Sequence, residues 1–515
     1  MSLNSWRRMG AQPWVIGSSI GLVVLFLTLV LANLEAVGGV QDTTRQFLAQ
    51  HFMGYLAWVV TIIMVFAVAL ALSPYGRVRL GKDGEQPRFS RFAWFSMLFS
   101  AGVGTGILFY GVSEPLFHLQ GNPFLTREGI EPLTAEAAVV AQRVTLFHWG
   151  LHGWAVYSVV GLCLGYFSFR KGQPMAIRSV LQPLLGKAVD GPLGHGIDIL
   201  AILSTLFGIA VSLGLGASQM MAGLNYLFGF EISPLAKLAL IVGVSVIATA
   251  SAVIGIRRGI RRLSIVNIWL SLVLIGFLLV AGPTIAILES FFGGTADYFA
   301  TFLPMGLFIA PEQERVWQGY WTIFYWGWWI SWGPSVGMFI GLVSHGRSVR
   351  EYIFGTLLVP TLAGFLWLCV FGATAMDLQL GGEPLVAAVN ADMTQALFTT
   401  FEMLRVDWAT WAISFLATVL IISWFVTSCD SGTLIISTIA CSGNPRPPGP
   451  LRILWGAMIG SVAGLLLLAG GLPALQAAST AVSMPFSIVL LAMMLGLSLA
   501  LWRNEPLSHT GENME

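Results

Sequence analysis

The sequence predicts an all-α integral membrane protein of twelve transmembrane helices, and three observations carry that prediction. Of the 515 residues, 56% are hydrophobic and only 10% are charged, whereas a soluble domain keeps roughly a quarter of its residues charged. The mean hydropathy is +0.79. Apolar runs long enough to span a bilayer, about 20 residues each, follow one another with no water-soluble domain between them. The net charge of +1 excludes the basic face of a nucleic-acid binder. Cys163, Cys369, Cys429 and Cys441 are scattered through apolar stretches without a CxxC pair, so they read as small core residues.

In chain order the predicted spans are 14–34, 52–73, 91–112, 143–168, 195–222, 235–255, 263–287, 321–344, 352–375, 408–440, 452–471 and 479–502. The first follows Arg7 and Arg8 and is too long for a signal-peptide core; a small-residue pattern near Ala32 is the one feature favouring cleavage. With the N-terminus placed inside, 20 of the 26 Lys and Arg residues fall in inside segments. That bias predicts a cytoplasmic location for both termini.

Two spans read as broken. Gly102, Gly104 and Gly106 alternate near the middle of the third. Each costs about 1 kcal/mol against alanine in a helix, which favours unwound backbone there over close helix packing. Gly333-Pro334 falls near the middle of the eighth, where proline removes a backbone donor. Interruptions five spans apart predict inverted repeats, spans 3–7 and 8–12, and point to a transporter's substrate site.

The eighth span is also dense in aromatics. Trp321, Tyr325, Trp328 and Trp332 step by four, three and four and share one face; Trp326 and Trp329 lie between them. The fourth span carries Trp149, Trp154 and Tyr157. An interfacial belt accounts for Trp321 and Trp149, but not for tryptophans deep in the span. Indole faces attract cations, by up to about 2 kcal/mol when dry, and quaternary ammonium leaves no N–H unsatisfied among them. Freed N–H groups of a broken third helix suit a carboxylate. The ligand these features predict is a net-neutral, betaine-like zwitterion.

The segments AGVGTGILFYGVSEP (101–115), FHWGLHGWAVY (147–157) and WTIFYWGWWISWGPSVGMFIGLVSHGRSVREYIFG (321–355) resemble the betaine/carnitine/choline transporter family. The resemblance runs over essentially the whole chain. It implies a LeuT-type fold: two N-terminal helices (1–90), a first five-helix repeat (91–287), a periplasmic amphipathic connector (288–320), a second repeat (321–502), a short cytoplasmic tail (503–515), and a homotrimer in the cell membrane. Carried over by motif, Trp149, Trp154, Tyr157, Trp328, Trp329 and Trp332 form the aromatic box. Ser212 and the glycines Gly102, Gly104 and Gly106 lie beside it, and Trp321 and Trp326 mark the outer route.

The resemblance also implies sodium as coupling ion, with no other cofactor. Thr427 and Ser428 match sodium ligands, joined by backbone near Ser100 and Val103, with Trp424 and Thr205 as further candidates. Taken alone, such hydroxyls more often bond to their own helix. A basic residue in span 7, the mark of sodium-independent exchangers, is missing from 263–280, which favours sodium symport over exchange or proton-coupled carriage of carnitine- or choline-type substrates. Ile209 and Ser335 depart from a second sodium site. Gly106, where choline carriers tend to carry aspartate, disfavours choline. Asp430 reads equally as a functional carboxylate or a structural partner. His148 and His152 have metal-ligand spacing but lack the glutamate of HExxH, so they read as packing or cavity-lining groups. Neither catalytic chemistry nor a channel's ring of pore residues is legible, so the prediction is a carrier, not an enzyme.

Overall fold

The computed structural model describes residues 10–505 apart from Val103, Ile232, Gly255 and Ile256, with the side chains of 99–102, 251–254 and 257–264 left out of the description. Arg7, Arg8 and most of the C-terminal tail therefore lie outside the described residues, as do Val103 and the Ser100 side chain. Among the described residues the protein is helical throughout; its only extended pairing is an isolated bridge between Arg79 and Ser348.

The described residues form fifteen long helices: α1 Pro13–Ala32, α2 Val37–His51, α3 Met53–Leu72, α4 Arg91–Gly102, α5 Thr105–Gln120, α6 Ala135–Trp149, α7 Leu151–Gly165, α8 Pro192–Phe228, α9 Pro234–Ile254, α10 Arg257–Ala281, α11 Thr284–Leu307, α12 Phe324–Val343, α13 Val349–Leu380, α14 Asp407–Ala440 and α15 Gly449–Asn504. Among the described residues seven rods, α6 and α7 counting together, are long and apolar enough to cross a bilayer. The number is eight if α10 and α11, which meet at 115°, count as one broken span. Leu25, Leu29, Ile62, Val65, Leu272 and Val273 are exposed along these rods, an apolar surface too extensive for water. This is a multi-pass membrane protein. α15 is two rods meeting at Gly471, whose φ of 67° and ψ of −159° break the helix.

The third predicted span is broken as its glycines require. α4 ends at Gly102, and Gly104 is extended (φ −141°, ψ −168°) before α5 begins. The eighth is not broken: α12 runs through Gly333 and Pro334, correcting the sequence expectation. Its glycines serve packing instead. A Cβ at Gly337 would lie 2.5 Å from Val160, and one at Gly161 would lie 2.5 Å from the Gly337 carbonyl, so α7 and α12 cross almost backbone to backbone. Packing on that scale lets the helix continue through its proline.

A second break was not foreseen. Gly150 is extended (φ −90°, ψ −152°) and separates α6 from α7. The freed N–H of Leu151 donates to the Tyr298 hydroxyl at 2.7 Å, which satisfies the exposed helix start. The two breaks and the α7–α12 crossing together place the aromatic residues around one void.

Candidate substrate and ion site

That void is a cavity of about 340 Å³ between α5, α6, α7, α8, α10, α12 and α14. Trp149, Tyr157, Trp328, Trp329 and Trp332 line it, with Ser212, Gly104 and Gly106. Trp149 stands nearly perpendicular to Trp328 and Trp329, with centroids 6.1 and 6.0 Å apart, and Tyr157 lies 4.9 Å from Trp329. Trp154 does not reach the cavity; it buttresses Trp329 and Tyr157 edge-on at 5.6 Å. The tryptophans with belt-like exposure are others at helix ends: Trp14, Trp408 and Trp502 are 76%, 87% and 71% exposed, against 5–7% for Trp149, Trp328 and Trp329.

Three of the four cage indoles are tethered by their N–H. Trp328 donates to the Gly208 carbonyl at 3.3 Å, Trp329 to the His148 carbonyl at 3.0 Å, and Trp149 to Glu114 Oε2 at 2.9 Å. Anchoring the polar edges leaves the aromatic bodies to line the void, the arrangement that attracts a diffuse cation. The rings fit only because glycines face them. A Cβ at Gly106 would come within 2.3 Å of Trp328, and one at Gly153 within 2.3 Å of Trp329. The broken end of α5 joins the same wall, where Thr105 Oγ1 donates to the Ser212 carbonyl at 3.2 Å.

The predicted ion ligands separate into those at the cavity and those elsewhere. Trp424, Thr427 and Ser428 line it. Thr427 Oγ1 bonds back to the Ser423 and Trp424 carbonyls at 3.1 and 2.9 Å, as an isolated reading of its helix expects, while its oxygen keeps lone-pair capacity. Ser428 Oγ faces the break, 3.6 Å from a Cβ built on Gly104. Hydroxyls beside unwound backbone make an all-oxygen donor set, which fits a hard cation. Thr205 is buried away from the cavity, its hydroxyl unpartnered, and Ile209 packs on Gly432. Asp430 lines the cavity with Asn267 and Ser271 of α10. Trp326 is fully buried against His152, its ring stacked at 5.5 Å, and Trp321 packs on His118 at 4.7 Å; neither lines the cavity.

Sequence reasoning missed Glu114, although an intramembrane carboxylate four residues before a histidine is a signal. Its side chain is fully buried with His118 and His148, ligand atoms within 4.8 Å of one another. Hydrogen-bond donors already occupy the carboxylate: His148 and His118 on Oε1, Trp149 and Tyr325 on Oε2. His152 is packed among Phe147, Phe302 and Trp326.

The model of the BCCT family, betaine/carnitine/choline family transporter, matches residues 14–506. This chain is a member of the betaine/carnitine/choline transporter family. It is 40% identical over 486 residues to the glycine betaine transporter OpuD of Bacillus subtilis, covering 94% of this chain and 93% of that protein. A probable glycine betaine transporter of Desulfitobacterium hafniense is 38% identical over 499 residues, 96% and 98% of the two chains. An ectoine/hydroxyectoine transporter of Virgibacillus pantothenticus is 39% identical over 486 residues, 94% and 95%. As a BCCT member this protein is a transporter and not an enzyme.

Proposed function

We propose that this BCCT transporter imports glycine betaine or a closely related zwitterion by sodium symport. The observation that carries the reading is a cavity walled by seven aromatic side chains and bounded at one side by the extended backbone at Gly104. The rings take the methylated nitrogen. The α5 start and Ser212 take the carboxylate, because the first backbone N–H groups of a helix lack internal partners and favour anions. Sodium sits at Thr427 and Ser428, which line the same cavity as the rings, so each bound species strengthens the site for the other.

Transport proceeds by alternating access in a LeuT-type arrangement of twelve spans and two inverted repeats, with α11 in the connector outside the bilayer, both termini cytoplasmic and a trimeric assembly in the cell membrane. The names of the relatives support the substrate class, and Ile268 at the cavity wall, in place of a basic side chain, supports sodium over exchange. The deciding experiment is uptake of radiolabelled betaine, carnitine, choline and ectoine into proteoliposomes. Betaine accumulation driven by an inward sodium gradient is expected; accumulation that ignores sodium, or that appears only with counter-substrate inside, would overturn symport.

A further inference from the structure

Glu114 accepts two bonds on each carboxylate oxygen: from His148 Nδ1 at 2.7 Å and His118 Nε2 at 3.3 Å on Oε1, and from Trp149 Nε1 at 2.9 Å and the Tyr325 hydroxyl on Oε2. Four donors fill the roughly four lone-pair sites of an ionised carboxylate. They also fix the tautomers, since His148 must carry its hydrogen on Nδ1 and His118 on Nε2. Each imidazole is left with one bare nitrogen, and the two differ. His118 Nδ1 is buried with no hydrogen-bond partner. His148 Nε2 lies 3.0 Å from Thr322 Oγ1, and a hydroxyl rotates freely between donating and accepting. A second proton on His148 therefore keeps its partner, while one on His118 would be stranded.

Among the described residues no oppositely charged side chain bonds to the cluster. α5 itself adds the Tyr110 hydroxyl, α12 adds Tyr325 and α6 adds His148; Trp317, Phe117 and Trp321 cover the His118 side. Toward α8, α13 and α14 the neighbours of α5 are neutral, among them Gln219, Trp367 and Phe425. Arg45 of α2 ends on Gln476, whose amide donates to Tyr110. Among the described residues no arginine, lysine or second carboxylate pairs with the cluster. With both imidazoles neutral the cluster carries a buried net charge of about −1, which is costly in a dry site, and one proton cancels it.

We propose that Glu114, His118 and His148 form a proton site, the proton seated on His148 Nε2 against Thr322. The site joins α5 and α6 to residues 322–325, so it is dry only while those elements are closed on one another. Closure takes a proton from the water on that side, and reopening returns it to the same side; the proton gates the carrier without being transported. It bears on the cage directly, because Glu114 holds the Trp149 indole and the His148 carbonyl holds that of Trp329.

Two readouts test the site, and only the second rests on the transport reading. In protein labelled with ¹⁵N-histidine, the resonance lost in His148→Gln is expected to acquire the protonated shift on acidification. Thr322→Val is expected to need about tenfold more acid, the loss of one hydrogen bond to a charged group, while Thr322→Ser behaves as the parent protein. A His148 resonance that never protonates, or equal titrations in all three proteins, overturns the proposal. In proteoliposomes at fixed internal pH, the dependence of betaine uptake on external pH is expected to move in Thr322→Val and not in Thr322→Ser. Equal pH profiles remove the gating role; the absence of betaine uptake by the parent protein at every pH refutes the carrier reading and leaves the histidine titration to decide the proton site.

Discussion

Gly106 shows how much one missing methyl group does in this protein. Trp328 Cη2 occupies the place of its side chain, with Trp149 Cη2 at 3.2 Å behind it, so the two ring edges that shape the cavity rest on bare backbone. Gly106→Ala is expected to displace Trp328 and weaken betaine binding by about 5- to 150-fold, from overpacking penalties of about 1–3 kcal/mol. Titration of intrinsic tryptophan fluorescence with betaine measures this; unchanged affinity would mean that the ring has another place to go. The same contact bears on Gly106→Asp, for which the family resemblance implies a gain of choline. A carboxylate there must first push two indoles aside, so loss of betaine binding is the expected first effect. Trp332 has a different role, since it lines the cavity while remaining partly exposed to it. Trp332→Leu keeps an apolar wall but removes a cation–π partner, and a loss of up to about 30-fold in betaine affinity is expected, from about 2 kcal/mol. Expression and folding should be unaffected; an unchanged dissociation constant would take Trp332 out of the cage.

At the scale of elements, the helix breaks decide where the site is, and their legibility differed for physical reasons. The third span declared itself because three alternating glycines sum to a helix penalty that no single packing contact offsets. Gly333-Pro334 misled because propensity scales describe isolated helices, whereas α12 lies against α7 at backbone contact distance and is held by its neighbours. The break at Gly150 left almost no trace in the sequence, one of the two glycines in HWGLHG. What makes it possible is the distant Tyr298, whose hydroxyl receives the Leu151 N–H. Trp328, Trp329 and Trp332 were legible because their depth set them apart from a belt, whereas Trp149 entered only through the family resemblance; Glu114 left just its spacing to His118, because its other partners come from α6 and α12. The α14 hydroxyls face the first of these breaks. Thr427→Ala combined with Ser428→Ala should leave α14 intact, since Thr427 bonds only its own helix, but should remove the oxygens offered to a cation. The sodium concentration for half-maximal betaine uptake is expected to rise about tenfold or more, as for loss of hydrogen-bonding groups at a charged site. An unaltered sodium response would place the coupling ion elsewhere.

At the scale of the whole molecule, the last described residue ties three distant parts of the chain together. The Glu505 carboxylate accepts from Arg170 Nε and Nη2 at 2.7 and 2.6 Å, from Lys171 Nζ at 3.1 Å and from the Tyr166 hydroxyl at 3.0 Å. Arg170 in turn donates to Asp83 at 2.8 Å and to the Gly81 carbonyl at 2.9 Å. The end of α15 is thereby fastened to the end of α7 and to the segment before α4, so the two halves of the chain share one ionic seam. Burial alone would raise the Glu505 pKa, but the hydrogen bonds from Arg170 and Lys171 outweigh it and hold the group below its ordinary value. A depressed carboxylate pKa contributes stability that is present above the unfolded value, about 4.3 for glutamate, and is lost as pH falls through the lower folded value. The apparent Tm of the detergent-solubilised protein should therefore exceed that of Glu505→Gln at neutral pH, and the gap should narrow only on acidification below the usual glutamate range. Arg170→Gln should reproduce the neutral-pH loss, because it removes the donors from the other side. A Tm gap that stays constant down to strongly acid pH would show that Glu505 acts through packing alone, and that the seam is not electrostatic.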